Sequence, residues 1–167
     1  MLDEVVEAVT LLSGVDNGRL WLVENGLLHA FANCGFEEQF EFDRRHPHAI
    51  DRTTMAGRTA LTRGPVHIPD ILEDPEYTYP GPRPYRAALS VPILLEDELI
   101  GVIGIVRVAP GPFAEDDIEL VELFAEQAAI AIANARLIDA VERQRRELAS
   151  SRRKWRSSFP LRTERSF

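Results

Sequence analysis

Histidine and carboxylate side chains are the groups in this chain that can hold a metal ion. His46 and His48 lie between Asp43 and Asp51, so two imidazoles and two carboxylates fall in one short stretch. A zinc site needs three or four ligands in tetrahedral geometry, and this stretch contains arginine and proline and predicts no regular element to place them. The pattern therefore favours a surface cluster over a metal site.

Nucleophilic and phosphate-binding chemistry is also poorly represented. Cys34 is the only cysteine, which excludes an internal disulfide and any CxxC zinc or redox site. The glycines of GVIGI (101–105) are not followed by the Lys-Ser/Thr pair of a phosphate-binding loop. No Ser-His-Asp or paired-carboxylate pattern is recognisable. We therefore predict that the chain is not an enzyme.

Composition narrows the class of protein further. The 167 residues carry 27 acidic and 19 basic side chains and a net charge of -8. This length suits one domain with an extension, and an acidic chain disfavours nonspecific nucleic-acid binding. The chain has no apolar run long enough to span a membrane and no secretory signal at its start, which predicts a cytoplasmic protein.

The elements that must position these groups follow from periodicity and turn residues. Apolar positions recur at helical spacing over 2–13, and the pair Asn25-Gly26 predicts a hairpin between two strands. Thr53 or Thr54 can cap a short helix, and Asp70 can cap a further turn. The other expected elements are strands at 19–23, 27–32, 65–68, 87–95 and 98–108, irregular stretches at 35–50 and 75–84, and a long helix from 115 to about 148.

The long helix is apolar on two nearly opposite faces, so it needs two covering surfaces. One cover is its own sheet, and the natural second cover is another copy of the chain. The heptad spacing of its second stripe predicts a coiled-coil homodimer, although a solvated helix end fits equally well beyond Val141. The residues expected to form this dimer helix are Ile130, Asn134, Leu137, Val141 and Leu148.

The order of elements, together with three stretches, resembles the GAF domain family. The stretches are GRTALTRGPVHIPDILEDPEY (57–77), RAALSVPILLEDELIGVIGIVRV (86–108) and FAEDDIELVELFAEQAAIAIANARL (113–137). The resemblance implies an α+β, GAF-like and PAS-related fold, in which a central antiparallel sheet carries the terminal helices on one face and a pocket on the other. We assign 1–114 to the GAF core, 115–149 to the signalling helix, and 150–167 to a basic, disordered tail.

In this fold the segments around residues 53–90 would form the wall and rim of a small-molecule pocket. Two guanidinium groups and three phenols around an apolar cavity suit an anionic or aromatic ligand. An ordinary solvated rim with packed tyrosines is the alternative. The pocket candidates are Arg58, His67, Tyr77, Tyr79, Tyr85, Arg86 and Ser90.

The sequence matches poorly the motifs by which members of this family bind their known cofactors. Phe113 and Asp117 fit the end of a cyclic-nucleotide motif, but Ile118 replaces its glutamate and no Asn-Lys pair exists. The position of Cys34 disfavours a covalent bilin, and one thiol cannot complete the cycle of a free methionine sulfoxide reductase. His67 is more simply a hydrogen-bonded histidine than a haem ligand. The cofactor is therefore unknown, and no metal is expected.

The resemblance implies a sensory or regulatory module of a bacterial signal-transduction protein. It would bind a small molecule, dimerise, or both, and control an output domain through its C-terminal helix. Two alternatives remain at this point. The chain is a dimerisation or scaffold module with a filled pocket, or it is a fragment of a larger sensor such as a histidine kinase or a class III nucleotide cyclase.

Overall fold

A computed structural model describes residues 1–159. They form two compact units, Met1–Ala131 and a second unit that begins at Ile132. The elements in chain order are α1 (Leu2–Ser13), β1 (Asn17–Glu24), β2 (Leu27–Cys34), α2 (Glu37–Arg45), β3 (His48–Ala49), α3 (Met55–Thr62), β4 (Val66–Ile68), a 3-10 turn (Ile71–Glu73), β5 (Ala87–Leu95), β6 (Glu98–Arg107) and α4 (Glu115–Ser158).

One six-stranded antiparallel sheet organises the first unit, in the order β3-β2-β1-β6-β5-β4. The predicted Asn25-Gly26 hairpin is confirmed, with φ angles of 53° and 75°. Glu96 and Asp97 make the second tight hairpin with φ angles of 49° and 66°. Positive φ at both central residues matches the twist of the flanking strands.

The two faces of the sheet have different covers. Arg19 and Trp21 of β1 face the side on which α3 packs, while Leu20, between them, faces the opposite side. Leu20 shares its face with its cross-strand partner Ile103 and with Val91, against which α1 and the buried start of α4 lie. The predicted α+β fold, with terminal helices on one face and a pocket side on the other, is confirmed.

Residues 35–50 differ from the predicted irregular stretch, because α2 occupies Glu37–Arg45. Its first turn is acidic and its last turn is basic, which suits the helix dipole. Its buried residues are Gln39 and Asp43, four residues apart on one helical face. A helix whose inward face is polar shows no apolar periodicity, and for that reason the sequence pattern missed it.

The C-terminal helix is longer than expected. It continues to Ser158, so residues 150–158 of the expected irregular tail are helical, and residues 160–167 lie outside the described part of the chain. Residues 149–158 contain no glycine or proline, and helix formation there needs no apolar stripe. Among residues 1–159, no helix is long and apolar enough to cross a membrane.

Candidate functional site

A small cavity lies on the α3 side of the sheet, beneath α2 and the segment 75–85. Its volume is about 20 Å³, close to that of one water molecule. We call it the polar cavity. It is lined by Asn17, Arg19, Trp21, Gln39, Asp43, His48, Thr54, Met55, Ala56, Tyr77, Tyr79, Tyr85, Gly104 and Val106.

A buried ion pair forms one wall of the polar cavity. Arg19 and Asp43 are each 1% exposed, and the Arg19 Nη1 to Asp43 Oδ2 distance is 2.5 Å. The Arg19 guanidinium also donates to Asn33 Oδ1, from Nε at 3.0 Å and from Nη2 at 2.9 Å. Burial lowers the pKa of Arg19, and the charge of Asp43 opposes that shift. The pair is therefore charged on both sides and locally neutral.

Asp43 is the hub of the network, because it accepts hydrogen bonds from three side chains. Tyr79 donates its hydroxyl to Oδ1 at 2.6 Å, and His48 Nε2 lies 3.1 Å from the same oxygen. Burial alone would raise the pKa of Asp43, but the hydrogen bonds from His48 and Tyr79 and the charge of Arg19 hold it below its ordinary value. Asp43 is therefore an ionised carboxylate with its oxygens occupied.

The tyrosines close the cavity from the side of the 75–85 segment. The hydroxyls of Tyr77 and Tyr85 hydrogen bond to each other, and both side chains are buried. Burial raises the pKa of Tyr85 to about 12 and that of Tyr77 well above its ordinary value. All three phenols, Tyr79 included, stay protonated at neutral pH and can serve as neutral hydrogen-bond donors.

Three buried polar atoms around the same cavity have no hydrogen-bond partner within the described residues. They are Trp21 Nε1, Gln39 Oε1 and His48 Nδ1, on side chains that are 5%, 6% and 9% exposed. His48 Nε2 donates to the Asp43 carboxylate, so Nδ1 is the ring nitrogen that lacks a partner in residues 1–159. Buried polar atoms without a partner are costly, so their concentration at one cavity makes it the candidate ligand site.

The structure brings together three of the seven predicted pocket residues, Tyr77, Tyr79 and Tyr85. The two arginines are engaged elsewhere. Arg58 Nη1 lies 2.7 Å from Asp74 Oδ2, and Arg86 Nη2 lies 2.5 Å from Asp70 Oδ2. These pairs tie down the two ends of the tyrosine-bearing segment and leave neither guanidinium among the groups that line the polar cavity.

The remaining two candidates also lie outside the polar cavity. His67 Nε2 accepts the backbone N–H of Phe113 at 2.9 Å, and burial with the charge of Arg107 lowers its pKa. Ser90 is fully buried beneath α3, where its hydroxyl hydrogen bonds to Thr59. Both residues connect elements of the fold.

Sequence reasoning missed Arg19, Trp21 and Gln39, and it considered Asp43 and His48 only as members of a surface cluster. Two signals were present. Arg19 is a charged residue at the head of an apolar strand, and Gln39 and Asp43 are four residues apart. The four-residue spacing of Gln39 and Asp43 indicates a shared face only once α2 is known to be a helix.

The histidine, carboxylate and thiol side chains considered for metal or redox chemistry do not all converge on this cavity within residues 1–159. In residues 1–159, no group of three or more His, Cys, Asp or Glu side chains could hold a metal ion. His46 stacks on Phe42, with ring centroids 4.1 Å apart, and does not join Asp43. Cys34 is a half-buried free thiol at the end of β2 and is not part of the cavity lining.

Comparison with known proteins adds a family and a set of similar folds. The family model described as GAF domain matches residues 1–132. The GAF domain of a phosphoenolpyruvate-protein phosphotransferase from Coxiella burnetii is 24% identical, with a TM-score of 0.71 over 83% of this chain and 84% of that chain. A domain of a putative two-component sensor histidine kinase from Sinorhizobium meliloti 1021 is 17% identical, with a TM-score of 0.66 over 84% and 94%.

A third similar structure has a catalytic description. The type II free methionine-R-sulfoxide reductase from Thermoplasma acidophilum is 18% identical, with a TM-score of 0.64 over 77% of this chain and 86% of that chain. At these identities the three structures establish a shared fold.

Proposed function

The chain belongs to the GAF domain family, and from that premise we propose that it is a sensory module that binds a small molecule in the polar cavity. The family is generally regulatory, and solved structures with this fold come from a sensor histidine kinase and from a phosphotransferase. The chain itself would act by binding and conformational change, with catalysis left to other domains.

One observation carries this proposal. Trp21 Nε1, Gln39 Oε1 and His48 Nδ1 are buried around one cavity and lack partners among the described residues. In a structural core such atoms are paired by the protein or by a buried water, because each unpaired one costs about 1–3 kcal/mol. A ligand that pairs all three would recover that cost on binding.

Entry of a ligand requires movement of the segment 75–85. The cavity of about 20 Å³ holds no molecule larger than water while Tyr77, Tyr79 and Tyr85 are in place. This segment contains four prolines and lies between two arginine–aspartate pairs. We therefore propose that it opens as a flap about its tied ends and closes over the bound molecule.

The signal would leave through α4, which we propose pairs with the same helix of a second copy. Three apolar side chains of the predicted dimer helix are exposed in the isolated chain. Leu137 is 64% exposed, Val141 is 49% exposed and Leu148 is 62% exposed. Such a pairing would pass a change in the polar cavity to an output domain, such as a kinase or cyclase, outside this chain. Replacing both Leu137 and Val141 with glutamate should give a folded monomer, whereas a persistent dimer would contradict the pairing.

A second candidate is a dimerisation or scaffold module whose pocket has no ligand. The small cavity volume is the observation that favours it, since the tyrosines already fill most of the space. A catalytic role like that of the reductase has no comparable support, because the lone thiol of Cys34 lies outside the cavity lining.

Native mass spectrometry of the gently purified full chain tests the proposal. Comparison of the native mass with the denatured mass detects any bound molecule. The sensor proposal expects one discrete extra mass per chain, which disappears on denaturation. A chain that never carries an extra mass, and whose melting temperature no small molecule raises, would favour the scaffold candidate.

A further inference from the structure

The unpaired atoms of the polar cavity also specify the chemistry of the ligand. We infer that the site recognises a small, uncharged, flat molecule that offers two hydrogen-bond donors to protein acceptors and one acceptor to a protein donor, as a cyclic urea or related amide does. This inference rests on the proposed function and deepens it. Three features support it: the charge balance at the cavity, the polar atoms that lack a hydrogen-bond partner among the described residues, and the aromatic side chains that line the cavity.

Charge balance at the cavity argues for a neutral ligand. The Arg19 guanidinium and the Asp43 carboxylate neutralise each other at 2.5 Å, and both are almost fully buried. Arg58 and Arg86, which would favour an anion, are paired with Asp74 and Asp70. A charged ligand would enter a buried site in which the charges of Arg19 and Asp43 already neutralise each other, and the desolvation cost of such a charge is several kcal/mol.

The free atoms give the hydrogen-bond pattern of the ligand. Trp21 Nε1 is a donor and requires an acceptor on the ligand. Gln39 Oε1 is an acceptor, and we take His48 Nδ1 as a second acceptor because Nε2 is the nitrogen that donates to Asp43; each then requires an N–H or O–H donor. A carbonyl group flanked by two N–H groups offers one hydrogen-bond acceptor and two donors in a single rigid unit.

The walls favour a flat molecule. Trp21 and His48 have ring centroids 5.9 Å apart, and His48 and Tyr79 have centroids 5.6 Å apart. Tyr77 and Tyr85 lie on the side of the 75–85 segment and would cover the ligand from there once that segment has moved outward to admit it. Aromatic faces and edges pack best against planar groups, so a planar amide fits better than a branched aliphatic molecule.

A series of five-membered rings tests the inference directly. 2-Imidazolidinone, 2-pyrrolidinone and cyclopentanone have nearly the same shape and one carbonyl each, but they carry two, one and no N–H donors. Each probe is titrated into the full chain labelled with ¹⁵N. The indole N–H signal of Trp21 reports binding, and that of Trp155, which is 65% exposed, is the internal control.

We expect 2-imidazolidinone to bind tightest, with affinity falling about fivefold to tenfold for each donor removed. Trp21→Phe should weaken 2-imidazolidinone by a similar factor, since it removes the donor to the carbonyl and keeps an aromatic wall. The matched variant Trp155→Phe should leave the affinity unchanged. Acetate and the cyclic cation 2-iminoimidazolidinium should bind at least tenfold more weakly than 2-imidazolidinone.

Three results would overturn the inference. Equal affinity for the three rings would show that the donors are not recognised. Tighter binding of acetate or of the cyclic cation would show that the ligand is charged. No shift of the Trp21 signal with any ring would show that this class of molecule does not enter. A bound mass in native spectrometry would, in each case, still support the sensory function.

Discussion

The two sides of the segment 75–85 use arginine and aspartate in opposite ways. On its inner side, Asp43 holds Arg19, His48 and Tyr79 in one network, and the Arg19–Asp43 pair is 2% and 1% exposed at the side chains. On its outer side, each aspartate serves a single arginine. Arg58–Asp74 and Arg86–Asp70 lie at the ends of the segment and are partly open to solvent.

This contrast separates the proposed ligand recognition, on the inner side, from restraint of the segment, on the outer side. The inner network is buried and contains atoms that have no partner within the described residues, so we assign ligand recognition to it. The outer pairs are completed by backbone hydrogen bonds with Arg52, Leu72 and Glu76, so they can restrain the ends of the segment without contacting a ligand. Arginine–aspartate pairs therefore have different roles in the buried network and at the partly exposed ends of the segment.

The largest expected effect comes from removing one charge of the inner pair. Asp43→Asn leaves the buried Arg19 guanidinium without a counter-charge, and we expect a loss of about 3–5 kcal/mol in the free energy of unfolding. Urea unfolding followed by circular dichroism measures it.

The matched outer change is Asp74→Asn, which breaks the pair with Arg58 at a side chain that is 20% exposed. We expect a loss of about 1–2 kcal/mol by the same measurement. Equal losses for Asp43→Asn and Asp74→Asn would remove the distinction between the inner and outer sides.

A loss similar to that of Asp74→Asn is expected from filling space at Gly81, in the segment 75–85. A Cβ at Gly81 would overlap the Tyr79 hydroxyl and lie 2.6 Å from Phe42 Cδ1. Gly81→Ala should therefore displace Tyr79 from Asp43 and cost about 1–3 kcal/mol of stability. Gly64→Ala is the control, because its Cβ would lie 4.0 Å from its nearest neighbour, the carbonyl oxygen of Thr62. A Gly81→Ala chain as stable as Gly64→Ala would show that the tip is not packed on Tyr79.

Acid should weaken both sides of the segment. Hydrogen bonds and arginine charges lower the pKa values of Asp43, Asp70 and Asp74 in the folded chain. Groups with depressed folded pKa values add stability above their unfolded pKa, near 4, and that stability is lost as the pH falls through the folded pKa.

Equilibrium unfolding between pH 7 and pH 2.5 measures this dependence. We expect the free energy of unfolding to fall below about pH 4, and to fall less steeply in Asp43→Asn than in the wild type. An identical slope in the variant would mean that Asp43 has the same pKa in the folded and unfolded chains.

The smallest effect is expected at the fully solvated pair Arg52–Glu76, whose side chains are both 51% exposed. Glu76→Gln should leave the urea midpoint unchanged within error, because exposed pairs add little and are screened by salt. A clear loss of stability would show that the outer surface of the segment contributes more than its burial implies.

The fold could be predicted from the sequence because its signals are local. Asn25-Gly26 marks one hairpin, Thr54 caps α3 by accepting the Gly57 N–H at 3.0 Å, and continuous apolar runs mark β5 and β6. Turn chemistry and apolar periodicity act over a few residues, so one sequence carries them in full.

The site could be predicted only in part, because its partners are distant in sequence. Tyr79 finds Asp43 across 36 residues and Arg19 finds Asp43 across 24. The helix that carries Asp43 has a polar buried face, so it breaks the pattern that reveals ordinary helices. Arg58 and Arg86 look available for an anion until the fold supplies Asp74 and Asp70.

Ligand recognition in the polar cavity is tested most directly by returning to the protein the small molecules that purify with it. Full-length protein is denatured, freed of small molecules and refolded, and its melting temperature is then measured with and without the released filtrate. We expect the filtrate to raise the melting temperature of the wild type and to raise that of Trp21→Phe much less, while Trp155→Phe responds like the wild type. A filtrate that leaves the wild-type melting temperature unchanged, or that raises all three equally, would contradict ligand recognition in the polar cavity.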